Sequence, residues 1–429
     1  MVVAVGATKK HASLRVALAT ASCSLLGLTP TVLLAGPDSA QVDGAFLYYS
    51  EKNRMTVVEA ISIFTVPLAT DESLTISPTL DVISGASPNG AIPTNKAQAL
   101  GNTVTPAGEL PTQQIIDIRY GLSLLWTNPN SRLSRSTLGA DVSSENDYSS
   151  FGANYSRIWD LENRLTSFSA GLSVGRDTIS PSTGVVYKGL TPLVLGDAQT
   201  TTRASDVGIS SELPIKQTID TLFGVTRVIN RRTLMQFNYG IGGTAGYLTD
   251  PYKIISKVDR DTGETTGYFT EKRPSTRLRQ TLFWKTIIHL PSDVIHLTYR
   301  HYWDDWQIKS DTFELNYYFK VGSSGYYIEP QLRYYTQTAA SFFRYRIVEG
   351  EVMPQNASAD LRLGEMKSYS YGIKFAAPLP NDGEISLRTV LIKQSGDSYP
   401  SDAIGVEREQ NLNPSMEAII VQLNLIFKL

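Results

Sequence analysis

The chain has 429 residues, with 39 lysines and arginines against 41 aspartates and glutamates, a net charge of -2 and a mean hydropathy of -0.13. That balance gives no electrostatic footprint for nucleic acid, the single cysteine excludes a disulfide framework, and beyond the N-terminus no run of about eighteen apolar residues is available for a transmembrane helix. Hydrophobic residues make up 41% of the chain, a content that soluble domains share with a barrel in which only alternate residues face lipid.

Residues 1–35 read as an export signal: Lys9, Lys10 and Arg15 precede an apolar stretch through Leu25, Leu26 and Leu28 to Leu34, with cleavage at Ala35 or as late as Ala40. Cys23 follows Thr20-Ala21-Ser22 and lacks the leucine usual at a lipoprotein site. Removing this segment leaves a cysteine-free chain suited to an oxidising periplasm. It also reduces 39 basic residues to 36 against 41 acidic ones, a charge of about -5.

Residues 41–429 alternate segments of strand length with turns, and none of the segments holds a helical period. The pattern predicts strands over 42–51, 54–66, 72–84, 114–127, 131–143, 148–160, 163–176 and 215–229. It continues with 232–248, 275–289, 292–305, 307–321, 324–337, 366–378, 383–394 and 415–429. The connections sort by length. Every second one is short: 67–71, 128–130, 161–162, 230–231, 290–291, 322–323 and 379–382, rich in Pro, Asn, Asp and Gly. All the long ones, 85–113, 177–214, 249–274, 338–365 and 395–414, fall on the other end. A soluble sandwich has no reason to sort its loops in this way, whereas outer-membrane barrels carry short periplasmic turns and long extracellular loops. The expected fold is therefore all-β, a transmembrane antiparallel up-and-down barrel of about sixteen strands in a bacterial outer membrane.

The alternation is sharpest between Arg277 and Gln337. Phe313, Leu315, Tyr317, Phe319 and Val321 alternate with Thr312, Glu314, Asn316, Tyr318 and Lys320. Leu278, Leu282, Trp284 and Ile288 oppose Arg277, Arg279, Thr281, Lys285 and His289, while Phe283 and Ile287 break the pattern. Ile295, Leu297, Tyr299 and Trp303 oppose His296, Thr298, Arg300 and Asp304; Ile328, Leu332 and Tyr334 oppose Glu329, Gln331, Arg333 and Tyr335. The candidate lumen-lining residues are thus Arg277, Arg279, Lys285, Arg300, Glu314, Glu329 and Arg333, with Asp117, Arg119 and Lys374 as further members. They either line an aqueous channel or bridge one another, and their mixed signs argue against strong ion selectivity. Trp126, Trp159, Trp303 and Trp306 suit aromatic girdles. The terminal strand, with Phe427 near its end, resembles the signal that outer-membrane assembly machinery reads in its clients.

Little else points to chemistry. His289, His296 and His301 share no metal-ligand spacing, so no metal is expected. No motif nominates a serine nucleophile, and no acidic or serine partner for His296 or His301 is visible, so no enzyme and no cofactor are expected. Asp259-Arg260-Asp261-Thr262-Gly263-Glu264 opens like a calcium loop, but its twelfth position is Thr270, so a polar hairpin is expected instead.

Ser84 to Ala91, Leu248 to Lys253, Trp303 to Trp306 and Arg333 to Gln337 resemble an uncharacterised bacterial outer-membrane barrel family, domain of unknown function 3570, over nearly the whole mature chain. The resemblance implies the barrel fold and brings no assigned activity. The expected function is a pore or transport channel for small solutes, with outer-membrane lipid and the assembly machinery as partners. One alternative is a non-conducting barrel, plugged by 85–113 or 177–214, that docks a periplasmic partner, for which the resemblance suggests a redox or flavin-carrying one; the other, less favoured, is an outer-membrane enzyme, which would need a serine or acidic residue near His296 or His301.

Overall fold

The structure, a computed structural model, describes residues 40–100, 103–162, 164–182, 184–187, 189–193 and 214–428. The expected export signal lies outside the described residues.

The first strands are β1 (Gln41–Glu51), β2 (Met55–Ala69), β3 (Glu72–Pro88), β4 (Gln98–Leu100), β5 (Thr103–Thr105), β6 (Thr112–Ser131), β7 (Ser134–Ser144) and β8 (Tyr148–Asp160). Then come β9 (Thr166–Ile179), β10 (Pro192–Leu193), β11 (Ile215–Asn230), β12 (Thr233–Gly246), β13 (Ile254–Val258), β14 (Thr265–Thr270) and β15 (Thr276–His289). The chain ends with β16 (Val294–Asp304), β17 (Lys309–Val321), β18 (Tyr326–Gln337), β19 (Arg346–Val348), β20 (Met366–Leu379), β21 (Gly383–Gly396) and β22 (Met416–Lys428).

Sixteen of these strands form one closed barrel in the order β1-β2-β3-β6-β7-β8-β9-β11-β12-β15-β16-β17-β18-β20-β21-β22. All pairings within it are antiparallel, and β22 closes the ring onto β1 from Gln41↔Lys428 to Glu51↔Ala418. Closure satisfies the edge groups that an open sheet would leave unpaired, the condition for placing strands in hydrocarbon. The expected strands coincide with the barrel strands in number and, within a few residues, in position.

The period of two assigns the faces. Phe313 is 51% exposed and Tyr371 57%, and Phe46, Leu80, Phe151, Phe223 and Leu391 are likewise exposed on the barrel exterior. Their register neighbours, such as Thr312, Ser370 and Asp141, are buried on the opposite face. The exterior is therefore a continuous apolar belt, which in water would be an unpartnered patch far larger than soluble proteins carry. Phe283 and Ile287, which interrupt the sequence pattern, keep to the inner register and are buried there.

Turns at one end are tight. Asn381 and Asp382 both adopt positive φ, 57° and 55°, the pair of left-handed residues that a type I′ hairpin demands. At the other end the described parts of the five long connections fold together. The strand pairs β4-β5 and the four-stranded sheet β10-β14-β13-β19 belong to them, not to the barrel.

Candidate functional site

The lumen wall follows from the register. Arg277, Arg279 and Lys285 on β15, Arg300 on β16, Glu314 on β17, and Glu329 and Arg333 on β18 all lie on the face opposite the exposed apolar residues. Asp117 and Arg119 on β6, separated by two residues, lie on that same inner face, with Ile116, Ile118 and Tyr120 exposed on the other. Lys374 on β20 lies opposite Glu329 in the ladder and joins them.

These charges bridge each other across strands. Arg277 reaches Asp304 Oδ2 (2.8 Å from Nε), Arg279 reaches Asp220 (2.9 Å), Arg388 reaches Glu329 (3.0 Å) and Lys374 reaches Glu384 (3.2 Å). Arg333 lies more loosely against Glu314, at 3.9 Å, and Arg119 pairs with Asp81. Sequence reading missed Asp81, Asp220, Glu384 and Arg388, because the face of a residue is legible from its own strand whereas its cross-strand partner depends on register. The lattice is not sealed from solvent: the Arg388 and Glu329 side chains are 21% and 16% exposed. The two halves of the wall also differ in sign. On β1 to β9 the acids Asp43, Glu59, Asp81, Asp117, Asp141 and Asp177 face Arg119 and Arg135; on β15 to β21 cations predominate.

A cap crosses the loop end of this lumen. The Ile254 N–H of β13 donates to the Asn89 carbonyl (2.9 Å), the Ile92 N–H donates to Ser256 Oγ (3.1 Å), and β13 pairs in parallel with β19 through Ser256↔Arg346. The three connections that meet here leave the barrel between β3 and β6, β12 and β15, and β18 and β20, dividing its circumference into arcs of six, four and six strands. Segments anchored so far apart around a ring can meet only over its opening. Buried Ile255, Ile347, Ala357 and Ala359 form one core of the cap, and Ile92, Val258 and Leu412 another. The 397–415 connection joins through Gly263 and Gly405, both at positive φ (70° and 48°), where a Cβ on either would strike the other segment's backbone.

A buried ionic cluster ties the cap together. Glu271, fully buried, accepts from the Asp250 N–H (2.5 Å), from Ser358 Oγ and from Arg273 Nη2 (3.1 Å). Arg273 Nη2 also donates to Asp360 Oδ2 (2.8 Å), and Arg362 bridges Asp360 and Asp250. Lys253 donates to the carbonyl of Pro88 at the end of β3. Burial pushes the Glu271 carboxyl up, against the pull of Arg273. Burial would raise Asp360 as well, but Arg362, Lys253 and Arg273 together hold it below the usual carboxylate range. The cap is thus a layer built from several connections; 85–113 supplies one part of it, and of 177–214 only the described residues can be placed.

Several expected features sit elsewhere. Trp306 is not in a girdle: it is 4% exposed, packs with Ile308, Ala340, Phe342 and Leu363, and donates Nε1–H to the Thr276 carbonyl (2.9 Å). Trp126 and Trp159 do lie exposed on the exterior. The segment 259–264 is the polar β13-β14 hairpin turn, closed by Asp259 Oδ1 accepting from the Asp261 and Thr262 N–H groups (2.9 and 2.8 Å). His296 faces the lumen, whereas His301 faces outward, where Asp311 Oδ1 lies 2.8 Å from Nδ1. An acidic partner for His301 therefore exists, on the lipid side and beside Trp303 rather than near a serine. Asp117, Glu145 and Asp147 offer carboxylate oxygens within 4.8 Å of one another, a group that could hold a metal ion, although Tyr252 already donates to Asp147 (2.8 Å).

The profile of a family described as protein of unknown function (DUF3570) matches residues 15–427. The chain belongs to that family. No curated protein matches it significantly. Among solved structures, this DUF3570 barrel is similar to a bacterial polysaccharide outer membrane secretin, at 10% identity and a TM-score of 0.44, over 91% of this chain and 99% of that one. It is similar to OccK2 (OpdF) of Pseudomonas aeruginosa at 7% identity and a TM-score of 0.40, over 91% and 98% of the two chains. CdiB from Acinetobacter baumannii matches at 6% identity and a TM-score of 0.44, over 90% of this chain and 60% of its own. With its closed sixteen-strand wall, apolar exterior and loops sorted to one end, the DUF3570 chain is an outer-membrane β-barrel.

Proposed function

We propose that the protein is a channel for small polar solutes whose loop end is closed by a folded cap. The observation that carries this reading is the contrast between the two faces of the wall: apolar outside, and inside a lattice of charged pairs that solvent still reaches. Sixteen strands enclose more space than wall side chains fill. A barrel serving only as an anchor would have no use for charged groups along that interior, since each costs desolvation wherever it is not hydrated or paired. The cap supplies the gate, because a layer held by a few buried ion pairs can open without disturbing the wall.

No catalytic role is assigned: His301 and Asp311 point toward lipid, where a polar substrate does not reach. The outward row Ile419, Val421, Leu423, Leu425 and Phe427 on β22 is read as the strand offered to the assembly machinery.

Liposome swelling tests the proposal. Vesicles carrying the intact barrel should take up small sugars and amino acids slowly. Vesicles carrying a variant in which residues 247–274 are replaced by an Asn-Gly turn should swell fast. Gly246 N–H already bonds the Ser275 carbonyl (2.9 Å), so β12 and β15 can be joined there. A folded variant that admits no solute would favour instead a non-conducting barrel that docks a periplasmic partner.

A further inference from the structure

Arg300 is a lumen cation that the ion-pair lattice leaves out among the described residues. The other lumen arginines Arg277, Arg279, Arg333 and Arg388 each have a carboxylate. Among the described residues Arg300 has no hydrogen bond and no ion pair. Its ladder partners are Phe283 on β15 and Thr312 on β17, and its guanidinium lies 5.7 Å from the centroid of the Phe283 ring. A guanidinium resting on an aromatic face has its plane fixed and its N–H edge turned to whatever fills the space beyond. Arg333 stands close enough to repel it, and the Glu314 that would balance both is 3.9 Å from Arg333. Two guanidiniums therefore share one loosely held carboxylate, an arrangement that a second carboxylate would relieve.

We propose that Arg300, with Arg333 beside it, binds the carboxylate of a small organic monoanion inside the lumen. This deepens the channel reading, on which it rests, by naming the solute class. The planar fork matches a carboxylate through two parallel hydrogen bonds. The nearby Glu314 opposes anions of higher charge. Phe283 and Tyr335, whose ring centroids lie 5.7 and 5.6 Å from the Arg300 and Arg333 guanidiniums, border the site with apolar surface for the body of the solute.

Titration calorimetry of the purified full-length barrel in detergent, with benzoate as the probe, tests this. Saturable binding is expected. Arg300→Gln should weaken it by about tenfold or more, the usual worth of a charge-assisted pair. Arg300→Lys should give an intermediate loss, because the charge stays and the fork does not. Arg157→Gln, on the outward register over Trp159, should bind as the parent does. Shifted mobility of the unheated barrel on a denaturing gel verifies that each variant has folded. Absence of saturable binding in the parent, parental binding by folded Arg300→Gln, or parental binding by Arg300→Lys overturns the carboxylate site. Potassium chloride conductance of the variant lacking 247–274 decides the channel reading separately. Current without benzoate binding removes the site and leaves the channel, and binding without current does the reverse.

Discussion

Replacing Arg273 with alanine removes the guanidinium that bridges the Glu271 and Asp360 carboxylates in the cap. Glu271 is fully buried and Asp360 is 3% exposed, so neither can turn to solvent when its partner is gone. Glu271 keeps Ser358 and the Asp250 N–H, and Asp360 keeps Arg362, so the loss falls short of two orphaned charges. Removing one member of a buried pair costs about 3–5 kcal/mol, which corresponds to an increase of roughly two to nearly four powers of ten in the population of the opened cap. The wall should not respond, because its hydrogen bonds run strand to strand around the closed ring. Hydrogen exchange followed by mass spectrometry separates the two. Peptides spanning 250–273 and 340–363 should lose protection in Arg273→Ala while those from β15 to β18 keep theirs. Unchanged protection of both cap peptides would refute the idea that this cluster holds the cap.

Other outcomes follow from the same structure. Gly263→Ala places a methyl group against the Ile404 carbonyl at a φ of 70°, so the 397–415 connection should detach and its amides exchange faster, with the barrel intact. Leu315→Arg puts a charge on the lipid face near the middle of β17 and should destabilise the barrel by about 2–4 kcal/mol in urea titrations in lipid vesicles; a neutral result would mean that this face does not meet hydrocarbon. Burial, then the neighbouring Asp117, push the Glu145 carboxyl up to about 8 from an ordinary value of 4.5. The folded turn 145–147 therefore keeps a proton that the opened turn gives up. Its stability should fall as pH rises from about 4.5 to about 8 and then level off, a dependence that Glu145→Gln should abolish. Exchange at that turn, corrected for intrinsic rates, reads the effect.

The barrel was legible because period two is a local signal: Thr312 to Val321 declares its faces without reference to any other strand, and β17 extends it by only three residues. Loop sorting supplied the rest, since lengths alone separate the two ends. The cap was not legible. Its strands are as short as Pro192–Leu193, and Ser256 meets Arg346 across a long stretch of sequence, so no local pattern marks them. Trp306 shows the same limit. Two residues past β16 and three from Trp303, it reads as another girdle aromatic, and only the approach of Ala340 and Phe342 makes it a core residue. In the lumen, the candidate cations could be read from their strands, but that Arg300 alone among Arg277, Arg279, Arg300 and Arg333 lacks a carboxylate depends on what β11, β16 and β17 bring beside them.

Single-channel recording in a planar bilayer tests the central claim most directly, comparing the intact barrel with the variant in which 247–274 is replaced by an Asn-Gly turn. A capped channel predicts long closed periods with rare brief openings for the intact protein and stable, long-lived steps for the variant. A variant that inserts and folds yet passes no current would show that the lumen is blocked below the cap, and the channel account would be wrong.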